Sequence, residues 1–194
     1  MSRFQQARFL VSAAAPKQFP PDAGAEVAFA GRSNAGKSSA INAIVRRHGL
    51  ARVAKLPGRT RLLNFFELSA NKRLVDLPGY GYASAPEAER SKWQPLIDAL
   101  KGRACLKGLF LIVDVRRGVT AGDEGLLAWV APGQRVHVLL SKADKLGRGE
   151  GLRVLRAVSA QLAGRASVQL FSALDGAGVA EAQDVLTGWL GAGA

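Results

Sequence analysis

The stretch Gly31-Arg32-Ser33-Asn34-Ala35-Gly36-Lys37-Ser38 follows the apolar run Val27-Ala28-Phe29-Ala30 and precedes Ser39-Ala40-Ile41-Asn42-Ala43-Ile44-Val45. It matches the pattern G-x-x-x-x-G-K-[ST] in the strand, loop, helix context that gives the pattern its meaning. Glycine allows a backbone turn that other residues resist, and the turn aims several N–H groups inward. A phosphate held there also meets the positive end of the following helix. Lys37 is then within reach of β- and γ-phosphates, and the Ser38 hydroxyl is a ligand for Mg²⁺. The loop predicts a phosphate; by itself it does not name the nucleotide.

Outward from this loop, apolar runs alternate with helical patterns. Strands are expected at 7–11, 26–30, 62–68, 72–76, 106–115, 135–140 and 167–171. Helices are expected at 37–47, 86–102, 121–131, 149–162 and 179–190, with Pro95 as a kink or break inside the second. Residues 49–61 carry Pro57-Gly58 and no periodicity, so a loop is expected there. Strands alternating with helices predict an α/β fold in three layers, a mostly parallel sheet with helices on both faces. The hairpin across Ser69-Ala70-Asn71 adds one antiparallel edge strand. Residues 1–25 read as an N-terminal arm with a short strand, and 26–194 as one nucleotide-binding domain. Ligands of such sheets bind at the carboxyl ends of the strands, and every motif below follows an expected strand.

The composition narrows the setting. With 194 residues and 48% apolar content the chain is long enough for one domain with a sizeable core. No run approaches the ~18 apolar residues of a membrane span, and the short apolar stretch Phe9-Leu10-Val11 reads as part of a native arm. The single cysteine, Cys105, excludes an intrachain disulfide framework and suits a reducing cytoplasm; its apolar surroundings suggest a buried, inert thiol. Lys plus Arg number 27 against 15 Asp plus Glu, a net charge of +12. A nucleotide site needs only a few of those charges, so the excess points to nucleic acid, with a merely basic surface as the alternative.

Three further segments choose the nucleotide. Asp76-Leu77-Pro78-Gly79 closes an expected strand, where Asp76 can hold Mg²⁺ through water and the Gly79 amide can face a γ-phosphate. Between it and the first loop lies Gly58-Arg59-Thr60-Arg61-Leu62, in which Thr60 offers a second hydroxyl to Mg²⁺ or is simply a turn threonine. Ser141-Lys142-Ala143-Asp144 matches the guanine-reading pattern [NT]-K-x-D with serine in the first place. Asp144 would accept from the guanine N1–H and exocyclic amine; adenine has no donors there, so ATP would leave a carboxylate unpaired. The Lys142 stem would cover the base, and Ser141 is a shorter brace for the phosphate loop than asparagine. Phe171-Ser172-Ala173 follows the last strand, where the Ala173 amide would meet guanine O6.

With Pro57-Gly58-Arg59-Thr60, Asn64-Phe65-Phe66, Asp76-Leu77-Pro78-Gly79-Tyr80-Gly81-Tyr82-Ala83 and Asp114-Val115-Arg116-Arg117-Gly118 added to these motifs, the chain resembles the EngB family of bacterial GTPases over roughly residues 7 to 190. The family usually has threonine at Ser141 and often serine at Ala173. The resemblance implies a Ras-like P-loop GTPase fold and a monomer that binds GTP and GDP with Mg²⁺. It also implies a cytoplasmic role in late assembly of the large ribosomal subunit, with effects on cell division and septation, and no membrane partner. It makes Gly31 through Ser39, Gly58 through Leu62, Asp76 through Gly79, Ser141 through Asp144 and Phe171 through Ala173 the nucleotide contacts, with Lys37, Thr60 and Gly79 catalytic. Ribosomal RNA would then meet some of Arg46-Arg47, Lys72-Arg73, Lys101-Arg103, Arg116-Arg117 and Arg148-Arg153-Arg156.

The catalytic water is the missing part. Many GTPases orient it with a glutamine just after D-x-x-G; here that place is Tyr80, a poor substitute whose other reading is simple packing. Slow intrinsic turnover is therefore expected. In related potassium-stimulated GTPases an asparagine at the position of Asn34 helps to bind K⁺, whereas loop bracing alone also explains the residue. A nucleotide kinase is the competing reading, though neither lid nor acceptor site is recognisable; a basic GTP-binding scaffold without useful hydrolysis is the third.

Overall fold

The computed structural model describes residues 4, 6–51, 62–80, 87–131 and 134–191. Seven strands form one sheet in the order β1-β3-β4-β2-β5-β6-β7. They are β1 (Arg8–Ala13), β2 (Ala25–Gly31), β3 (Leu63–Ser69), β4 (Lys72–Asp76), β5 (Leu106–Asp114), β6 (Arg135–Ser141) and β7 (Ser167–Leu170). The helices are α1 (Lys37–Val45), α2 (Glu87–Lys101), α3 (Ala121–Trp129), α4 (Arg148–Leu162) and α5 (Val179–Leu190). From β4 to β7 every neighbouring pair is parallel, while β3 runs antiparallel to both β4 and β1. The expected antiparallel strand of the hairpin is thus present, and the N-terminal strand docks outside it. Helix α2 continues through Pro95 rather than stopping there.

The near-continuous apolar runs of β2 and β5 are buried on both faces, as parallel strands under helices require. One face carries α1 and α5, whose Ile41, Ile44, Leu186 and Leu190 meet Phe29 and Phe110. On the other, Leu96, Ile97 and Leu100 of α2 pack with Leu109 and Val75, and Val158 and Leu162 of α4 pack with Leu111 and Leu140. Phe29 and Phe110 stack with ring centres 4.9 Å apart, and Trp189 of α5 leans on Phe110 at 5.1 Å. Gly108 makes that docking possible, because a Cβ there would stand 2.6 Å from the indole. His137 lies in the same layer, and burial holds its imidazole below the usual range. Its Nε2 faces Gln169 Oε1 at 2.8 Å, and Gln169 Nε2 donates to Gly178 O at 2.8 Å. The amide is thereby oriented to accept, so Nε2 carries the proton. Cys105 is buried as expected, and burial together with Asp22 pushes its thiol up to about 12.

The structure corrects one expectation. Arg73 and Arg103 are not surface contacts for RNA. Both close on the Glu26 carboxylate, which is fully buried: Arg73 Nε donates to Oε1 at 2.7 Å and Arg103 Nε to Oε2 at 2.7 Å. Their Nη2 groups also donate to the carbonyls of Pro20, Pro21 and Ala23, while Asp22 accepts from the amides of Ala104 and Cys105. The proline-rich arm is stapled to the base of the sheet by charges that the sequence presents as if they were solvent-facing. Among the described residues no helix is long and apolar enough to cross a membrane. Replacing Glu26→Gln leaves two guanidiniums around a neutral amide, so stability should fall by about 3 kcal/mol. A lower urea midpoint checks this; an unchanged midpoint would mean that the arginines find other partners.

Candidate nucleotide-binding site

The carboxyl ends of β2, β4, β5 and β6 lie in register: Gly31 stands opposite Ile112, Phe29 opposite Asp76, and Asp114 opposite Ser141. These strand ends form the floor of the site. Gly31 brings the loop close to β5, since a Cβ on it would lie 2.7 Å from the Ile112 carbonyl oxygen. Asn34 (φ 63°) and Gly36 (φ 97°) are both left-handed, and Ala35 N–H closes a turn on Arg32 O at 3.0 Å. Asparagine tolerates that conformation better than most residues, which gives position 34 a local reason for its identity. Helix α1 starts at Lys37, so its first amides point into the loop. Lys37 Nζ is ion-paired with Asp76, and burial holds the Asp76 carboxyl above its usual range against the pull of that lysine.

Beyond Asp76, the segment Leu77-Pro78-Gly79-Tyr80 stays alongside the phosphate loop. Leu77 N donates to Phe29 O at 2.9 Å, Tyr80 N to Gly31 O at 3.4 Å, and Ser33 N to Tyr80 O at 2.9 Å. A Cβ on Gly79 would come within 3.3 Å of Ser33 Cα. The Tyr80 phenol donates to Asp123 on α3 instead of facing the loop. Gly58, Arg59, Thr60 and Arg61 lie outside the described residues, as do Tyr82 and Ala83; Leu62 precedes β3 and is half-buried.

At the other end, Ser141 Oγ approaches Ala35 O at 2.5 Å and Val113 O at 3.0 Å. Short as it is, this serine braces the phosphate loop, because Gly31 has already drawn the loop down onto β5. Lys142 (φ 59°) sends its ammonium to Asn34 O at 2.7 Å and to Asp114 Oδ2 at 3.0 Å. Its stem therefore spans from the end of β6 to the loop. Arg116 also closes on Asp114 at 2.7 Å, and these donors hold that carboxyl well below the usual range. Asp144 Oδ1 accepts from Ser172 Oγ at 2.8 Å and Oδ2 faces Lys145 at 3.2 Å. The Ser172 bond is the main cause of its lowered pKa, so the carboxylate stays an acceptor. Ala143 N–H bonds Phe171 O at 3.1 Å, joining the segments that follow β6 and β7. The Ala173 amide has no acceptor among the described residues, and Leu174 beside it is 77% exposed.

The structure therefore gathers the described motif residues along one end of the sheet. It adds Asp114, which ends an apolar run followed two residues later by an arginine, and Asp123, which no local pattern links to Tyr80. A cavity of about 220 Å³ runs beside the loop among Arg32, Asn34, Asp114, Arg117 and Lys142. A larger one, about 490 Å³, lies at the opposite end near Asn71, Lys72, Arg135 and Trp189. No motif residue lines it, so size alone does not locate the site.

Residues 26–142 match a family described as 50S ribosome-binding GTPase. The probable GTP-binding protein EngB of Azoarcus sp. (strain BH72) is 52% identical over 98% of this chain and 94% of its own length. The chain belongs to the EngB family of GTP-binding proteins. The probable GTP-binding protein EngB of Coxiella burnetii (strain RSA 493 / Nine Mile phase I) is 46% identical over 96% of this chain and 93% of that one. A crystal structure of a probable EngB superposes with a TM-score of 0.68, covering 86% of this chain and 98% of that one at 21% identity. Era in complex with MgGDPNP and part of 16S ribosomal RNA superposes with a TM-score of 0.67 over 88% of this chain and 58% of its own, also at 21% identity. Both share the P-loop GTPase fold, the class to which EngB proteins belong and whose general activity is GTP hydrolysis. If Ser172 orients Asp144 for the base, Ser172→Ala should weaken GTP and GDP alike by roughly tenfold, the worth of one hydrogen bond to a charged acceptor. Titration of a fluorescent nucleotide checks it, and unchanged affinity would place base recognition elsewhere.

Proposed function

We propose that this EngB-family chain is a slow GTPase switch acting in late assembly of the large (50S) ribosomal subunit, with effects on cell division and septation. The observation that carries the reading is the pairing of two features. Asp144 is oriented by Ser172 in the guanine-reading place, while Tyr80, in the water-orienting place, is turned onto Asp123. Guanine is selected by the Asp144 carboxylate and the Ala173 amide, with the Lys142 stem and the exposed face of Leu174 against the ring. Lys37, the Gly79 amide and Thr60 meet the charge that develops on the transferring phosphoryl group. With Tyr80 turned away, no described side chain orients the attacking water, which supports a low intrinsic rate and a partner that completes the site.

The donors present suit Mg²⁺. Ser38 offers a hydroxyl with no protein partner among the described residues, and Asp76 a buried carboxylate at a strand end. Both are hard oxygen donors, and Mg²⁺ is commonly held by one or two carboxylates plus phosphates and waters. Ser38 and Thr60 would bind it directly and Asp76 through water; when bound, it would supply neutralisation of the phosphate charge. For K⁺, the proposed ligand is the Asn34 side chain, which is exposed at the loop. Equal single-turnover rates in KCl and NaCl would remove that assignment.

The ribosomal partner is supported by the description of the matched family, by the ribosomal RNA in the related Era complex, and by the net charge of +12. Of the candidate RNA contacts, Arg46, Arg47, Arg116, Arg117, Arg148, Arg153 and Arg156 remain exposed. In this reading residues 1–25 are an arm on a GTP-binding domain of residues 26–194, and the protein works as a cytoplasmic monomer. Association with ribosomal particles should require GTP or a non-hydrolysable analogue and fall steeply with salt. Sedimentation with purified subunits in each nucleotide tests both points, and equal binding with GDP and GTP would overturn the switch. Asp144→Asn should move preference from GTP to xanthosine triphosphate; retained GTP preference would remove Asp144 from base reading.

A further inference from the structure

Tyr80 is tied at both ends. Its phenol donates to Asp123, which is only 3% exposed and whose other oxygen accepts from the Thr120 amide at 2.7 Å and the Thr120 hydroxyl at 2.6 Å. The Tyr80 ring lies 3.6 Å from where a Gly122 side chain would begin, and it packs on the apolar layer that includes Leu126. Burial and that carboxylate push the phenol far above its ordinary range, so it remains a donor. Its backbone, meanwhile, bridges to the phosphate loop: Tyr80 N–H to Gly31 O, and Ser33 N–H to Tyr80 O.

We infer that Tyr80 and Asp123 determine how the site discriminates a nucleoside triphosphate from a diphosphate. This rests on the GTP-binding reading of the site. The loop amides differ in whether they are already used. The Lys37 and Ser38 amides open α1 and have no intrahelical acceptor. They can take the inner phosphates of either nucleotide without disturbing Tyr80. The Ser33 amide lies farther out on the loop and is committed to the Tyr80 carbonyl at 2.9 Å. A terminal phosphate drawn to Lys37 and the Gly79 amide carries oxygens that repel that carbonyl, and it must displace the Tyr80 backbone. The phenol opposes the displacement, because its charge-assisted bond to a buried aspartate is lost as the segment lifts. A diphosphate meets no such opposition. The apparent affinity for the triphosphate is thus the intrinsic affinity multiplied by the fraction of molecules that are unlatched. Asp123 acts through Tyr80 and is a positioning residue, touching neither nucleotide.

The test compares GDP with the non-hydrolysable analogue GDPNP on the full-length protein by calorimetry or fluorescent-nucleotide competition. Tyr80→Phe removes only the hydroxyl and keeps the ring. It should tighten GDPNP by about tenfold, the loss of one hydrogen bond to a charged acceptor, and leave GDP unchanged. Asp123→Asn weakens the same bond from the other side and should shift the same ratio in the same direction, even where a poorer α3 cap lowers the melting temperature. An unchanged GDP-to-GDPNP ratio in both variants, or a weaker GDPNP, overturns the inference. Failure of the native protein to bind either nucleotide would overturn the underlying reading of the site itself.

Discussion

Position 31 has no room for a side chain. A Cβ there would lie 2.7 Å from the Ile112 carbonyl oxygen and 3.1 Å from the Ile112 Cβ, both in the neighbouring strand and neither free to move. The absence of that one atom lets the phosphate loop rest on the end of β5. From there it is close enough for Ser141 to hold Ala35 and for Lys142 to hold Asn34. The Ser141-Lys142 segment and the phosphate loop, more than 100 residues apart in the chain, are thereby fixed relative to each other by side chain to backbone bonds. Two strand ends in register, Asp114 and Ser141, complete the connection.

The fold and the site were legible to different depths. Apolar runs at β2, β5 and β6 announce a parallel sheet because burial on both faces leaves no alternation, and the motif residues mark the strand ends. What the sequence could not convey were pairings across distance. Glu26, Arg73 and Arg103 look solvent-facing one by one; only the fold brings a carboxylate and two guanidiniums from positions 47 and 77 residues away into one buried cluster. Ser141 reads as a shortened brace until the close approach of Gly31 shortens the gap. Tyr80 reads as a vacant catalytic place, and its actual partner is 43 residues downstream on another element. Local periodicity carries no information about such partners, since each is set by strand order.

The same cluster changes how the charge should be counted. Glu26, Arg73 and Arg103 sit below the surface and anchor the arm, so two of the cations in the net charge do not face a partner. Arg8 with Glu67 and Arg165 with Glu124 are exposed pairs, each worth little in water and readily exchanged for another anion. Among the described residues Arg148, Arg153 and Arg156 of α4 have no carboxylate within ion-pair distance. The basic character that an external polyanion meets therefore lies on helix surfaces and loops, not at the floor of the sheet, and it survives the loss of the buried pairs.

The phosphate loop stands between two walls of unlike chemistry. On the β6 side the contacts are side-chain donors aimed at the outer carbonyls of the loop, Ala35 and Asn34, groups that no phosphate competes for. On the β4 side they include a loop amide, that of Ser33, given to the carbonyl of Tyr80. Amides are what a phosphate oxygen seeks, so a ligand can replace this contact without touching the first set. A neutral backbone bond is worth only ~0.5–1.5 kcal/mol net, and alone it would be a poor guard against a charged group. Tying the same residue to a buried aspartate adds a second, stronger bond that must yield in the same movement. One wall thus holds the loop in place whatever is bound, while the other responds to the outermost phosphate. That division lets a single rigid loop both grip a nucleotide and register its length.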